Sequence, residues 1–219
     1  MIADILPDKV ACRDAFDDSA DCPLFPEEEA LLVRSVDKRR REFTTARFCA
    51  RAALGELGLP PVPLVPGERG APQWPSGIVG SMTHCAGYRA AAVGHATDIV
   101  TIGIDAEPHE VLPAGVLDVI VRPEEAVRLR RLADTTPEVC WDRLLFSAKE
   151  SVYKAWFPLA RRWLGFEDAD LTIDPTDGTF TARLLVAGPV VNNRPITELT
   201  GRWLARDGFV LTAIALPTG

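Results

Sequence analysis

The sequence has no apolar run of the roughly 18 residues that a membrane-spanning helix needs. Its N-terminus, MIADILPDKVACRDAFDD, lacks the basic start and apolar core of a secretory signal. A cytoplasmic protein without a membrane partner is therefore expected. Five cysteines, Cys12, Cys22, Cys49, Cys85 and Cys140, are odd in number and scattered with no C-x-x-C spacing. That excludes a disulfide framework and a structural zinc site. Neither a G-x-x-x-x-G-K-[ST] loop nor a G-x-G-x-x-G fingerprint occurs, so neither a nucleotide-triphosphate loop nor a Rossmann cofactor is indicated. Histidine is scarce too, with only His84, His95 and His109.

What is present is an ordinary globular composition: 219 residues, 47% hydrophobic and 25% charged, with net charge −7. The net acidity argues against a nucleic-acid partner, but the charges are unevenly spread. Residues 1–29 hold nine acids and two bases, Lys9 and Arg13. Residues 34–51 hold seven bases, Arg34, Lys38, Arg39, Arg40, Arg41, Arg47 and Arg51, against Asp37 and Glu42. A basic stripe on an acidic chain suits a small polyanionic ligand; a solvated helix face would look the same.

Pro26 followed by EEEALLVRSV predicts a first helix, acidic in its first turn as the helix dipole prefers. Residues 38–57 predict a second, with Phe43, Ala46, Ala50, Leu54 and Leu57 at helical spacing. After a proline-rich connector, IVGSMTH and YRAAAVG read as a hairpin and TDIVTIGIDAE as a further strand. A proline-started helix from Arg122 to about Ala133 and a longer one over roughly 138–157 follow. The strands LTIDP, TFTARLLV, GRWLAR and FVLTAIA complete the chain, the last two joined at Asp207-Gly208. Each half thus reads as helices followed by a small antiparallel sheet. The expected fold is α+β, two similar subdomains over 1–106 and 107–219.

Three places concentrate chemistry. Asp105 and Glu107 alternate on one face of their strand, with Cα atoms about 6.5–7 Å apart. Such a pair repels unless a cation or proton lies between them, and an oxygen-only donor set favours Mg²⁺ or Mn²⁺. A D-x-E at a strand end is also common without any role. The predicted 138–157 helix has one stripe of Trp141, Leu144, Leu145, Ala148, Val152 and Ala155 and a nearly opposite one of Phe146, Tyr153 and Phe157. Glu150 falls in the second stripe, with Lys154 one turn on. A simple Glu–Lys pair accounts for those two, though not for the density of Lys149, Glu150 and Lys154. Thr83 and His84 end a strand, and Gly67–Pro75 is a turn-rich loop offering Arg69 and backbone N–H groups to a phosphate. The apolar segment Leu112–Val121 reads either as a core element or as a docking face through Leu117 or Ile120, with Arg122 or Arg128 at its rim.

Four stretches in order, FTTARFCARAAL, GAPQWPSGIVGSMTHCAGY, IGIDAEP and FSAKESVYKAW, resemble the Sfp/EntD-type phosphopantetheinyl transferases. The resemblance runs from about Arg34 to Phe157, and the W-P-x-G-x-x-G-S-x-T-H-C run points to the EntD-like branch. It implies two α/β halves related by a pseudo-two-fold, with coenzyme A in the cleft between them. It implies Mg²⁺, or Mn²⁺ in its place, held by Asp105, Glu107 and Glu150 with the coenzyme A diphosphate. Glu150 would also take the proton of an incoming serine and Lys154 would steady the leaving 3′,5′-ADP. Arg39, Arg47 and His84 would hold the phosphates, with Thr83 beside His84 and Lys149 against the diphosphate. Arg69 stands where such proteins commonly carry lysine. The implied reaction places the 4′-phosphopantetheine arm on a serine of an apo acyl or peptidyl carrier protein, met transiently by a monomer. The carriers would serve fatty acid, polyketide or nonribosomal peptide synthesis, siderophore assembly included. A metal-dependent phosphoesterase using water as nucleophile, and a non-catalytic coenzyme A binding module, are the rival readings.

Overall fold

The computed structural model of the chain describes residues 1–219. A short strand β1 (Ala11–Ala15) precedes helices α1 (Pro26–Leu31) and α2 (Asp37–Glu56) and the hairpin β2 (Ile78–Cys85)–β3 (Tyr88–His95). The antiparallel sheet order is β1-β3-β2. The long helix α2 packs Cys49, Ala50, Ala53 and Leu54 on Ala91 and Val93 of β3, all of them buried. On its other face β3 turns Tyr88, Ala90 and Ala92 toward Ile102, Ile104 and Ala106 of β4 (Ile99–Pro108). The central strand is covered on both sides, and its run of alanines lets both layers approach closely.

After β4 come α3 (Val116–Ile120), α4 (Pro123–Thr135), α5 (Trp141–Ala160), β5 (Ala169–Asp174) and β6 (Thr179–Leu184). The two-residue strands β7 (Val190–Val191) and β8 (Arg194–Pro195) and the hairpin β9 (Glu198–Arg206)–β10 (Phe209–Pro217) end the chain. Asp207 and Gly208 have φ of 53° and 81°, the positive values a tight two-residue hairpin turn demands. The second sheet has the order β4-β10-β9-β6-β5. Its first three strands repeat the order β1-β3-β2 of the first sheet, and in both halves helices follow the opening strand before the hairpin that pairs with it: α1 and α2 in the first, α3, α4 and α5 with further strands in the second.

The two halves share a buried polar joint as well. In α1, Glu28 accepts the Phe25 N–H at 2.9 Å and the Leu64 N–H at 2.8 Å and pairs with Arg51 of α2. In α4, Glu125 accepts the Arg122 N–H at 2.8 Å and the Leu171 N–H at 2.8 Å and pairs with Lys149 of α5 at 3.0 Å. Both glutamates are essentially inaccessible and sit third in a Pro-Glu-Glu start. A buried carboxylate is tolerated because backbone amides and one cation satisfy it. The duplication suggested by element order thus has matching side chains, although no sequence identity marks it.

The expected division at 106/107 falls inside a strand. The boundary cuts through β4, which is hydrogen-bonded to β10 from Ile99 to Pro108 and opens the second half. The strand β1 is absent from the sequence reading, because its five residues ACRDA carry no alternating pattern. The long helix begins at Trp141 and ends at Ala160, about three residues later than expected at each end. In the 112–121 segment Ile120 is buried, Leu117 is half-buried on the main core, and Val119 is exposed. Ile120 is therefore a core residue. No helix is long and apolar enough to cross a membrane.

Candidate active site

The site lies where the two halves meet, and a glycine sets how closely α5 approaches β4 there. At Gly103 of β4 a Cβ would collide with the Ser151 carbonyl and lie 2.7 Å from the Ala155 N. The bare backbone lets α5 lie directly on the strand, where Thr101 Oγ1 donates to the Ala155 carbonyl at 2.8 Å. Glu150 and Lys154, each one residue before those contacts, are thereby carried to β4. Lys154 Nζ donates to Asp105 Oδ1 at 2.7 Å and to the Ile104 carbonyl at 3.1 Å.

From the other side β2 meets β4 without forming a backbone ladder. Hydroxyls fill the seam: Ser81 Oγ accepts the Ile104 N–H and Thr83 Oγ1 the Ala106 N–H, both at 3.1 Å. Thr83 Oγ1 also donates to Asp105 Oδ1 at 3.2 Å. Trp74 lies over Gly80, where a Cβ would come within 2.8 Å of the indole, and its Nε1 donates to the Gly80 carbonyl at 3.0 Å. These contacts explain why a tryptophan and a glycine are needed in that stretch.

Asp105 is 4% exposed, and its Oδ2 is buried with no hydrogen-bond partner. A buried carboxylate oxygen left unpaired is costly. Burial, then the neighbouring Asp105 charge, pushes both Glu107 and Glu150 above the ordinary glutamate range. Glu107 Oε2 accepts from Arg143 Nη1 at 3.0 Å, whereas Glu150 has no hydrogen-bond partner. Nor does Lys154 pair with Glu150: its carboxylate partner is Asp105. As the side chains stand, no three acidic, histidine or cysteine groups are gathered closely enough to hold one ion. The expected convergence of Asp105, Glu107 and Glu150 is thus not present in this conformation. Lys154 and Arg143 occupy two of the three carboxylates instead.

Beside this carboxylate edge opens a cleft of about 940 Å³ whose lining includes Arg39, Arg47, Arg69, Thr83, His84, Glu150 and Lys154. That volume suits a small organic ligand. Arg39 Nη1 lies 3.1 Å from His84 Nε2. A guanidinium can only donate, so His84 accepts there and is neutral with its proton on Nδ1. Desolvation in the cleft and the Arg39 charge both hold its pKa below the ordinary value, although the side chain still reaches solvent. Arg47 donates twice to the Leu64 carbonyl and stacks 3.5 Å above Phe43; burial lowers its pKa to about 10. Arg69 takes φ of 52° and faces the Trp163 ring at 5.8 Å.

Two expectations need correction. Lys149 does not line this cleft: its ammonium is buried against Glu125, the Phe166 carbonyl at 2.6 Å and the Ala169 carbonyl at 3.3 Å. The basic stripe of α2 is not one clamp, since Arg51 is consumed by Glu28 and Arg40 pairs with Glu29 at 2.6 Å. Only Arg39 and Arg47 of that stripe line the cleft. Conversely, Tyr153, Trp74 and Arg161 line it without having been expected to. Arg143 was missed as well, seven residues and two turns before Glu150, a spacing that could have flagged it.

The comparisons agree with this architecture. Residues 27–94 match the 4'-phosphopantetheinyl transferase N-terminal domain, and residues 101–197 match the 4'-phosphopantetheinyl transferase superfamily. The gap between the matches falls at the β3–β4 junction. The chain is 58% identical to 4'-phosphopantetheinyl transferase Svp of Streptomyces mobaraensis over 219 residues, 99% of this chain and 89% of that protein. It is 50% identical to 4'-phosphopantetheinyl transferase PptT of Mycobacterium tuberculosis over 226 residues, 99% of this chain and 98% of that protein. Enterobactin synthase component D of Salmonella typhi is 35% identical over 185 residues, 83% of this chain and 74% of that protein. The chain belongs to the 4'-phosphopantetheinyl transferase superfamily.

Proposed function

We propose that this chain moves the 4′-phosphopantetheine arm of coenzyme A to a serine of an apo acyl or peptidyl carrier protein, using one divalent cation and releasing 3′,5′-ADP. The observation that carries the cation is the buried, orphaned Oδ2 of Asp105, a carboxylate whose charge favours protonation of both Glu107 and Glu150. An all-oxygen donor set fits Mg²⁺ or Mn²⁺. Asp105, Glu107 and Glu150 would hold the ion, which would neutralise charge on the diphosphate when bound.

The protein's own groups do the rest. Arg39, Arg47 and Arg69 face the cleft and supply donors for phosphate oxygens. His84, neutral at rest, gains a proton readily once a phosphate anion lies beside it. Glu150 lacks a partner and is held above the ordinary carboxylate range, which suits it to accept the serine proton. As the serine oxygen bonds to phosphorus, the bond to the ADP oxygen breaks, and Lys154 places a donor where that oxygen gains charge. Lys154 can leave Asp105 for this work because a cation at Asp105 would replace it. The five free thiols support a reducing, cytoplasmic setting, and two complementary halves in one chain support a monomer.

Incubation with coenzyme A, Mg²⁺ and an apo carrier tests this reading. Transfer should be abolished by EDTA, restored by Mg²⁺ or Mn²⁺, and lost in Asp105→Asn. Full transfer in EDTA-treated, metal-free enzyme would remove the cation from the proposal.

A further inference from the structure

One side chain fastens the end of β4 to the first turn of α5. Arg143 Nη1 donates to Glu107 Oε2 at 3.0 Å, Nε to the Glu110 carbonyl at 2.9 Å, and Nη2 to the Val111 carbonyl at 3.0 Å. Its side chain is 14% exposed and that of Glu107 19%. The neighbouring Asp142 accepts the Leu112 N–H at 2.8 Å, so the connector leaving β4 is tied to α5 at several points. A guanidinium is planar, and three acceptors around its edge fix both its position and its plane. That plane in turn fixes Glu107 Oε2, while Oε1 has no partner in the protein. Without Arg143, repulsion from Asp105 would drive the Glu107 carboxylate away from the site.

We propose that Arg143 is a positioning residue for the divalent-cation site, holding Glu107 by one oxygen so that the other faces the ion. The inference rests on the reading that Glu107 is a ligand. A cation close to a metal site also repels the metal, so positioning and repulsion pull Mn²⁺ affinity in opposite directions. The fork geometry favours positioning: two of its three bonds go to backbone carbonyls and hold the guanidinium whether or not an ion is bound. The tie reaches the exposed Val111 of the connector as well, so Arg143 joins Glu107 to a surface segment.

The test is Mn²⁺ binding, followed by the spectroscopic signal of free Mn²⁺, with and without coenzyme A, on the full chain. Wild type should take up the ion and Asp105→Asn should not. Arg143→Met should weaken binding by about tenfold or more, the usual loss when a ligand's own hydrogen-bond partner is removed. Arg143→Lys, which keeps the charge but not the fork, should fall between, and it carries the test if Arg143→Met does not fold. Asp142→Asn, which leaves the Arg143–Glu107 contact in place, should stay within about twofold of wild type, on the same principle. Equal or tighter Mn²⁺ binding in both Arg143 variants would overturn the inference, a tighter value marking Arg143 as a competitor of the ion. A loss in Asp142→Asn as large as in Arg143→Met would also overturn it, since the connector as a whole would then be responsible. No uptake by wild type would sink the cation reading, and this inference with it.

Discussion

Gly103 lies directly beneath the Ser151 carbonyl, with no room between them for a single methyl group. A bare strand position meeting a helix backbone sets the depth at which α5 sits on β4. That depth brings Lys154 to within 2.7 Å of Asp105. Gly103→Ala must lift the helix or twist the strand, because the obstructing atoms are backbone and cannot rotate aside. We expect a loss of about 1–3 kcal/mol from overpacking. Turnover should fall further than melting temperature alone would explain. Normal turnover in Gly103→Ala would show that the helix depth is not critical.

Lys149 and Glu125 form a pair buried on both sides, with side chains 2% and 1% exposed. Burial lowers the Lys149 pKa, and the adjacent Glu125 charge opposes that shift. Lys149→Met leaves Glu125 charged and without a cation, which should cost roughly 3–5 kcal/mol of stability. The Lys149→Met, Glu125→Gln double variant should recover part of that loss. Coenzyme A KM of the folded variant should match wild type. A raised coenzyme A KM with unchanged melting temperature would return Lys149 to the phosphates.

Much of this was legible in the sequence, and the failures have physical causes. The faces of β4 were readable because alternation is strict: Asp105 and Glu107 face α5 while Ile102, Ile104 and Ala106 enter the core. Lys149 was misplaced because the helix packs on several sides. Neighbouring residues 149 and 150 diverge by about 100° around the axis, so Glu150 reaches the cleft while Lys149 turns to α4. The Pro-Glu-Glu starts at Pro26 and Pro123 are legible in the sequence as helix N-termini. Their third residue's partners, Arg51 and Lys149, lie 23 and 24 positions downstream, beyond any local pattern. The first strand escaped notice because five residues of mixed polarity gain their order only from β3 beside them.

His84 gives the clearest pH signature. Desolvation and Arg39 both disfavour its imidazolium, so in the free protein the ring should titrate below the ordinary 6.5. The neutral form therefore prevails at pH 7. A phosphate anion in the cleft favours the charged form and should move the midpoint upward. Coenzyme A should then bind more tightly as pH falls through that range, with uptake of a proton. NMR titration of the His84 ring with and without coenzyme A checks both signs. A midpoint unmoved by coenzyme A would remove His84 from the phosphate contacts.

Lys154 and the arginine–histidine pair should separate kinetically. Lys154→Ala removes a donor whose work is on charge that grows during bond breaking, so turnover should fall on the order of 10²-fold with little change in coenzyme A KM. Arg39→Ala and His84→Ala should chiefly raise coenzyme A KM. In Arg47→Ala, a loss of stability should accompany the weaker binding, because the Leu64 carbonyl loses both of its Arg47 donors. The opposite pattern would mean that clamp and catalyst have been interchanged.

The intact mass of an apo carrier protein, taken after incubation with the enzyme, coenzyme A and Mg²⁺, addresses the proposed chemistry head-on. We expect the carrier to gain one phosphopantetheine on its serine while an equal amount of 3′,5′-ADP is released, with neither change in Asp105→Asn. Cleavage of coenzyme A with no gain in carrier mass would identify water as the acceptor and contradict the transferase reading. Coenzyme A bound but left intact would reduce the chain to a binding module.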